Sequence, residues 1–228
     1  MRGIALKLRL VILIVGILGT LSESTHAASC RGIARNVALS GVSDQEIEHE
    51  FKKPQNTFCY LNILPIYRNH PNFRRLAYDP ARKGVTPQTI REAMAGIEAI
   101  RRGLIQKPIM RGPEEVEFYD GVGSPWDIKA PRSPRPGEKR KFEVKDVADS
   151  ILWKLHSQVV NGITNRIEPV KIILDRTYMD DADRRALWIY LRAHASTADI
   201  ERIFELHLEE PRHVSGTGPL QQYGPSRN

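Results

Sequence analysis

The chain has 228 residues, of which 41% are hydrophobic and 27% are charged. This composition is typical of a globular protein and excludes both a membrane-embedded bundle and a wholly disordered chain. Lysine and arginine number 34 against 27 aspartate and glutamate residues, which gives a formal charge of +7. The two cysteines are too few for a disulfide-dense scaffold or an all-cysteine zinc cluster.

The N-terminus has the three-part order of a secretory signal peptide. Basic residues lie at positions 2, 7 and 9, an uncharged apolar run follows at 10–21, and small residues stand at 27 and 28. The run is shorter than the ~20 residues that a membrane-spanning helix needs. We therefore expect residues 1–27 to be removed during export to the periplasm or the medium, which leaves no membrane span. An uncleaved N-terminal anchor is the alternative.

Export determines how the two cysteines are interpreted. In an oxidising compartment, Cys30 and Cys59 would form one disulfide that closes a loop of about thirty residues and contributes ~3–4 kcal/mol. The alternative is a pair of unlinked thiols, with Cys59 buried beside Phe58 and Tyr60. The even cysteine count favours the disulfide.

Residues 28–85 are predicted to form an N-terminal extension of unknown role. This extension should contain a helix at 44–52 and a strand or buried loop at 58–67. Residues 86–210 carry the clearer signals of a main domain, beginning with Thr86-Pro87, a typical helix start.

The expected elements of the main domain follow in chain order. They begin with a helix at 86–104 and two short strands, at 116–120 and 126–130, joined by a five-residue loop. A helix at 146–160 and a strand at 170–175 follow. The last elements are a helix at 180–194, with Ala182, Ala186, Ile189 and Ala193 inward, and a short helix and strand at 197–208. This order predicts an α/β or α+β fold with one mixed β-sheet flanked by helices. Residues 211–228 are polar and predicted to be disordered.

The predicted hairpin carries the candidate catalytic residues. Asp120 ends its first strand, whereas Asp127 and Lys129 lie two apart on its second and therefore share one face. A tight hairpin would bring Asp120 beside Asp127, and two adjacent carboxylates repel each other unless a cation lies between them. The pattern therefore predicts a divalent metal held by Asp120 and Asp127, most simply Mg²⁺, with Mn²⁺ or Zn²⁺ as alternatives. Lys129 would stabilise charge on a bound phosphate during metal-assisted phosphodiester hydrolysis.

These residues resemble a known family. A helix with an acidic residue, a strand ending in Asp120, and a strand reading Trp126-Asp127-Ile128-Lys129 are similar to the PD-(D/E)xK nuclease superfamily. The likeness is greatest to restriction-endonuclease-like domains at the C-termini of bacterial polymorphic and contact-dependent-inhibition toxins. In those domains a helix and a strand similar to Ile172-Ile173-Leu174-Asp175 follow. One departure is Tyr119, which stands where the motif has proline.

The resemblance implies a restriction-endonuclease-like fold, a divalent metal and endonuclease activity on DNA or RNA, tRNA included. It also implies a secreted toxin or effector whose partners are nucleic acid and an immunity protein. The rival interpretation is an exported, non-catalytic binding domain that keeps the fold. An intact set of Asp120, Asp127 and Lys129 favours the nuclease, because a degenerate relative need not retain it.

Two further sets of residues complete the expected site. The family's third acid lies on the preceding helix, where Glu98 falls at the edge of the apolar face and Glu92 is expected to point to solvent. The alternative for Glu98 is a simple helical ion pair with Arg102. A basic loop after the hairpin is expected to bind the phosphate backbone, although a solvated loop is the alternative; it contains Arg132, Arg135, Lys139, Arg140, Lys141 and Lys145.

Overall fold

The computed structural model describes residues 42–113 and 115–209. The expected signal peptide, Cys30 and the tail at 211–228 lie outside the described residues. The described chain is a mixed α/β fold in which helices pack on both faces of a mixed five-stranded sheet. The expected fold class is confirmed at this level.

The elements are numbered in chain order. The helices are α1 (Asp44–Phe51), α2 (Pro54–Leu61), α3 (Pro65–Arg68), α4 (Phe73–Ala77), α5 (Pro87–Arg101), α6 (Val144–Leu155), α7 (Asp181–His194) and α8 (Thr197–Ile200). The strands are β1 (Met110–Arg111), β2 (Phe118–Tyr119), β3 (Pro125–Lys129), β4 (Gln158–Val160), β5 (Ile167–Pro169), β6 (Lys171–Asp175) and β7 (Ile203–Leu206).

The main sheet has the strand order β1-β2-β3-β6-β7. Its first three strands pair antiparallel, whereas β3, β6 and β7 pair parallel. Parallel neighbours need a crossover connection, and helices α6 and α7 lie in the two crossovers. Strands β4 and β5 form a separate antiparallel pair within the first crossover.

Each face of the sheet has its own hydrophobic cluster. On one face Trp126, Ile128 and Ile173 pack with α5 and the helices before it. On the other face Ile172 and Leu174 pack with α6 and α7. Alternation of side chains along a strand explains this division.

Residues 42–85 form helices that share the first of these clusters. Tyr67, Phe73 and Tyr78 are fully buried there, in contact with the same cluster as α5 and the sheet. The expected helix at 44–52 is confirmed as α1. The strand or loop expected at 58–67 is wrong, because the segment contributes to helices α2 and α3, each of which starts with a proline at its first turn.

The helix boundaries that depend on capping residues are confirmed. Thr86 caps α5, its side chain accepting a hydrogen bond from the backbone N of Thr89 in a capping box. Asp180 caps α7 by accepting from the backbone N of Asp183 at 2.8 Å. Local side-chain chemistry therefore fixes both starts.

Two helical predictions are wrong. The helix expected at 146–160 ends at Leu155, because the following residues form β4 and pair with β5. In α7 the buried residues are Leu187 and Leu191, whereas Ile189, expected inward, is 70% exposed. The buried residues have the expected four-residue spacing, but they lie on a different side of the helix from the residues expected to point inward.

Candidate functional site

Strand β3 supplies two charged side chains that lie next to each other. Because Trp126 and Ile128 belong to the α5-side cluster, alternation directs Asp127 and Lys129 toward the α6 side. Asp127 is 4% exposed, and Lys129 Nζ lies 3.0 Å from its Oδ2 atom. The structure therefore brings Asp127 and Lys129 together.

Helix α6 adds a second lysine that the sequence interpretation missed. Lys154 is buried, its Nζ lies 3.4 Å from Asp127 Oδ1, and it donates a hydrogen bond to the backbone O of Glu115. Its position three residues after the buried Ile151 is the signal that could have revealed it, since such residues lie on one side of a helix. Asp127 Oδ2 is buried and meets the Lys129 ammonium at 3.0 Å in an ion pair that lacks hydrogen-bond geometry.

Asp120 lies in the hairpin loop and not beside Asp127. Its Oδ1 accepts hydrogen bonds from the backbone N of Val122 (3.0 Å) and Ser124 (2.9 Å), and its Oδ2 accepts from Trp126 Nε1 (2.9 Å). These three neutral donors satisfy a carboxylate that is 2% exposed. Asp120 therefore closes the turn.

The register of the hairpin explains why the expected pairing of Asp120 with Asp127 is wrong. Tyr119 pairs with Pro125, and the backbone N of Asp120 donates to Ser124 O. Asp127 lies three residues further along β3, about 10 Å away at the usual strand rise. Asp120 also contacts the Trp126 side chain, which points to the face opposite Asp127.

Glu117, just before β2, is the acidic residue of this segment whose pKa is affected by the Asp127 charge. Phe118 pairs with Trp126, and the backbone N of Glu117 donates to Trp126 O at 3.0 Å. Two residues of one strand therefore oppose one residue of the other, which is the arrangement of a β-bulge. A bulge re-aims side chains, and here Glu117 reaches Arg111 Nη2 at 2.6 Å.

Several charges determine the electrostatics of Glu117. The pKa of Glu117 is raised to about 8: burial is the largest cause, Arg111 opposes it, and the nearby Glu92 and Asp127 carboxylates add to the rise. Desolvation of a carboxylate, with like charges nearby, produces such a shift. Glu117 was missed because the bulge is invisible in the residue spacing.

Arg111 links Glu117 to helix α5. Its Nη1 lies 3.0 Å from Glu92 Oε2, and its guanidinium lies over the Phe118 ring at 5.4 Å. Glu92 is 5% exposed, so the expectation that it points to solvent is wrong. The strand pair β1–β2 covers that side of α5 and supplies the arginine that neutralises it.

Glu98 lies six residues, less than two turns, further along α5, in a different environment. It accepts from Arg101 and Arg102, each at 2.7 Å, and from the Tyr67 hydroxyl at 3.0 Å. Six residues separate it from Glu92, which corresponds to about 9 Å along the helix. The structure does not bring Glu98 to Asp127, and the ion pair with Arg102 considered as its alternative role is present.

The basic loop follows β3 and is anchored at Ser133. The backbone N of Ser133 donates to Tyr178 O at 2.8 Å, and its hydroxyl accepts from the backbone N of Asp180. Glu138 pairs with Arg132, and Arg140 Nε lies 3.8 Å from Glu138. Lys145 lies in α6 and pairs with Asp149. The remaining predicted phosphate-binding residues, exposed and without an ion pair in the described part of the chain, are Arg135, Lys139 and Lys141.

A divalent cation at the bulge would have few protein ligands. Within 42–113 and 115–209, no three His, Cys, Asp or Glu side chains are arranged to hold a metal ion. Mg²⁺, however, commonly uses one or two carboxylates and keeps several waters. Asp127 and Glu117 are the candidate carboxylates, with Glu117 in contact with Arg111 and Glu92 and Asp127 in contact with Lys129 and Lys154.

Comparison of the chain with protein-family models, with curated proteins and with solved structures found no match in any of the three. Among the described residues, no helix combines the length and hydrophobicity needed to cross a bilayer. The functional conclusion therefore rests on the site itself.

Proposed function

We propose that the chain is a divalent-metal-dependent nuclease of PD-(D/E)xK type, with a restriction-endonuclease-like fold. Its acting residues would be Asp127 and Lys129 on β3, Glu117 at the bulge before β2, and Glu92 on α5. This set keeps the family's pattern of a helix acid, a strand acid and an Asp-x-Lys strand. It replaces Asp120 by Glu117 and Glu98 by Glu92.

One observation carries the proposal: the buried Asp127 carboxylate lies between Lys129 and Lys154, and its Oδ2 atom is held by the 3.0 Å ion pair with Lys129 without a hydrogen bond. A purely structural buried carboxylate normally has all its hydrogen-bonding capacity used. The order of elements also supports the proposal, since an acid-bearing helix precedes three antiparallel strands and a crossover to a parallel strand.

The chain's own residues would have separate roles. Lys129 would donate to a phosphate oxygen and stabilise the negative charge that builds there. Lys154 would hold Asp127 in position, and Arg111 would fix Glu117 against Glu92. A divalent metal held by Glu117 and Asp127 would polarise the scissile phosphate and lower the pKa of an attacking water.

The biological setting remains part of the proposal. The signal-like N-terminus favours an exported toxin or effector, with the Cys30–Cys59 disulfide formed after export. Nucleic acid and an immunity protein are its proposed partners. Cys59 lies half-buried in α2.

The second candidate function is an exported, non-catalytic binding domain. It is favoured by the balance of charge around the bulge, where Glu92, Glu117 and Asp127 face Arg111, Lys129 and Lys154. Three carboxylates and three cations can form a self-sufficient structural network. Such a network needs no metal.

The two functions predict different results in a cleavage assay. The purified chain is incubated with plasmid DNA and with total tRNA, in the presence of Mg²⁺, Mn²⁺, Zn²⁺ or EDTA. The nuclease cuts at least one substrate with metal and neither substrate in EDTA. A binding domain leaves both intact under every condition.

Matched variants locate the chemistry. Asp127→Asn should remove cleavage, whereas Asp120→Asn, an equally conservative change at an equally buried aspartate, should retain it. Loss of activity in folded Asp120→Asn together with normal cleavage by Asp127→Asn would contradict the proposed site.

A further inference from the structure

An arginine-rich groove lies along α7 at the edge strand β7, two strands from β3. It encloses about 420 Å³ between α7 and the edge strand β7. Its lining residues are Arg184, Arg185, Trp188, Ile189, Arg192 and Glu205. Because positions 184, 188 and 192, and likewise 185 and 189, are four apart, the helix presents them on one side.

The charges of this groove are not balanced. Glu205 binds Arg184 through two hydrogen bonds and accepts a third from Trp188 Nε1 at 2.6 Å. Although burial opposes it, this hydrogen bonding lowers the pKa of Glu205, so Arg184 is neutralised. Arg185 and Arg192 are both exposed and have no acidic partner in the described part of the chain.

The two unbalanced arginines have a spacing that suits a polynucleotide. Arg185 and Arg192 are seven residues apart, which is about 10.5 Å along a helix. This distance corresponds to about three nucleotide steps of 3.4 Å in a stacked strand. Trp188 lies between them with Arg192 over its ring at 5.6 Å, and an aromatic ring flanked by cations is a stacking platform for a base.

The sheet connects the groove with the proposed site. Lys129, Leu174 and Glu205 are cross-strand partners in β3, β6 and β7. Neighbouring strands lie about 4.8 Å apart, so the backbones at Lys129 and Glu205 are separated by about 10 Å. A strand bound at Lys129 could therefore reach the groove within a few nucleotides.

We propose that the groove between α7 and β7 is an auxiliary binding site for the phosphodiester backbone of a single-stranded nucleic acid, contacted by Arg185 and Arg192. The ligand class rests on the proposed function, whereas the groove and its unbalanced charge do not. The site would hold the strand next to the cleavage point without taking part in the chemistry.

Fluorescence anisotropy of the full chain tests this proposal. The probe is a fluorescein-labelled single strand of about twelve nucleotides, as DNA and as RNA, in EDTA so that cleavage cannot interfere. The double variant Arg185→Gln/Arg192→Gln should bind about tenfold more weakly. The slope of log K against log[salt] should flatten by ~0.7 per lost phosphate contact.

The matched control is Lys52→Gln/Arg166→Gln, which removes the same charge from two exposed residues without ion pairs. This control should bind like the wild type, and thermal melting confirms that both variants are folded. Equal weakening in both double variants would reduce the effect to net charge and overturn the proposal. Unchanged binding in Arg185→Gln/Arg192→Gln would also overturn the proposal, as would the absence of binding of either probe by the wild type.

Two further arms separate the alternatives. If poly-L-glutamate binds in an Arg185- and Arg192-dependent way while the oligonucleotides do not, the groove docks an acidic protein and the proposal is wrong. Cleavage is measured separately with metal present. If binding depends on Arg185 and Arg192 but the chain never cleaves, the groove proposal is supported and the nuclease proposal is rejected. If the chain cleaves but binding does not depend on these arginines, the nuclease proposal is supported and the groove proposal is rejected.

Discussion

The two ends of the β2–β3 hairpin each contain a buried aspartate, but the two carboxylates are stabilised differently. At the loop end, three neutral N–H donors use both oxygens of Asp120. At the other end, Asp127 lies between two lysines and one of its oxygens accepts no hydrogen bond. A carboxylate held by neutral donors has no remaining need for a cation, whereas one held by lysine ammonium groups can exchange them for another cation.

The largest expected effect is on the stability of the bulge end. Arg111→Met leaves Glu92 and Glu117 without their shared buried cation, and we expect a loss of about 3–5 kcal/mol in the free energy of unfolding. Urea unfolding measures it. Arg75→Met, which breaks the exposed pair with Asp44, is the control and should cost at most about 1 kcal/mol. Equal losses in the two variants would mean that the buried ion pairs of Arg111 contribute no more stability than an exposed pair.

Removing the lysine of the Asp-x-Lys strand should affect activity more than stability. Lys129→Gln should lower kcat/KM for nucleic-acid cleavage by ~10²–10³-fold, because it removes a preorganised charge next to the phosphate. Lys171→Gln is the matched control, since Lys171 donates to Ser124 Oγ and contacts none of the acidic residues of the site. Similar rates for both variants would exclude Lys129 from the chemistry.

At the loop end the effect should be structural. Asp120→Asn places an amide among three N–H donors, and we expect about 1–3 kcal/mol of destabilisation. The folded fraction should cleave at close to the wild-type rate, measured below the melting temperature. A stable but inactive Asp120→Asn variant would return Asp120 to the candidate site.

The last effect is a pH dependence confined to the bulge end. The folded-state pKa of Glu117 is raised from 4.5 to about 8, so the folded protein binds the proton more tightly than the unfolded chain. The stability that this group contributes is fully present below pH 4.5 and is lost as the pH rises through about 8. In EDTA, melting curves should show this decline for the wild type, and Glu117→Gln should flatten it. Parallel curves for both proteins would contradict the assignment.

The sequence predicts those parts of the fold that local chemistry determines. Thr86 and Asp180 mark helix starts through their capping side chains, and the 170–175 apolar run forms β6. The end of α6 and the buried face of α7 were mispredicted because strand pairing and packing against α6 decide them. Neither partner is visible in a local window.

Some residues of the candidate site could likewise be predicted from the sequence, and others could not. Asp127 and Lys129 follow from strand alternation, which spacing alone reveals. Glu117 depends on a one-residue bulge, and a shift of one residue changes which side chains meet. Glu92 and Lys154 depend on what packs against two helices, and helical periodicity does not identify the buried arginine or carboxylate that will meet them.

The most direct test is the effect of Mg²⁺ on the melting temperature of the wild type, Glu117→Gln and Asp120→Asn. A ligand present at about 100 times its Kd stabilises the folded protein by about 2.7 kcal/mol. If Glu117 and Asp127 hold the metal, Mg²⁺ raises Tm equally for the wild type and Asp120→Asn, and leaves Glu117→Gln unchanged. A response in Glu117→Gln equal to that of the wild type, with none in Asp120→Asn, would contradict a metal site at the bulge.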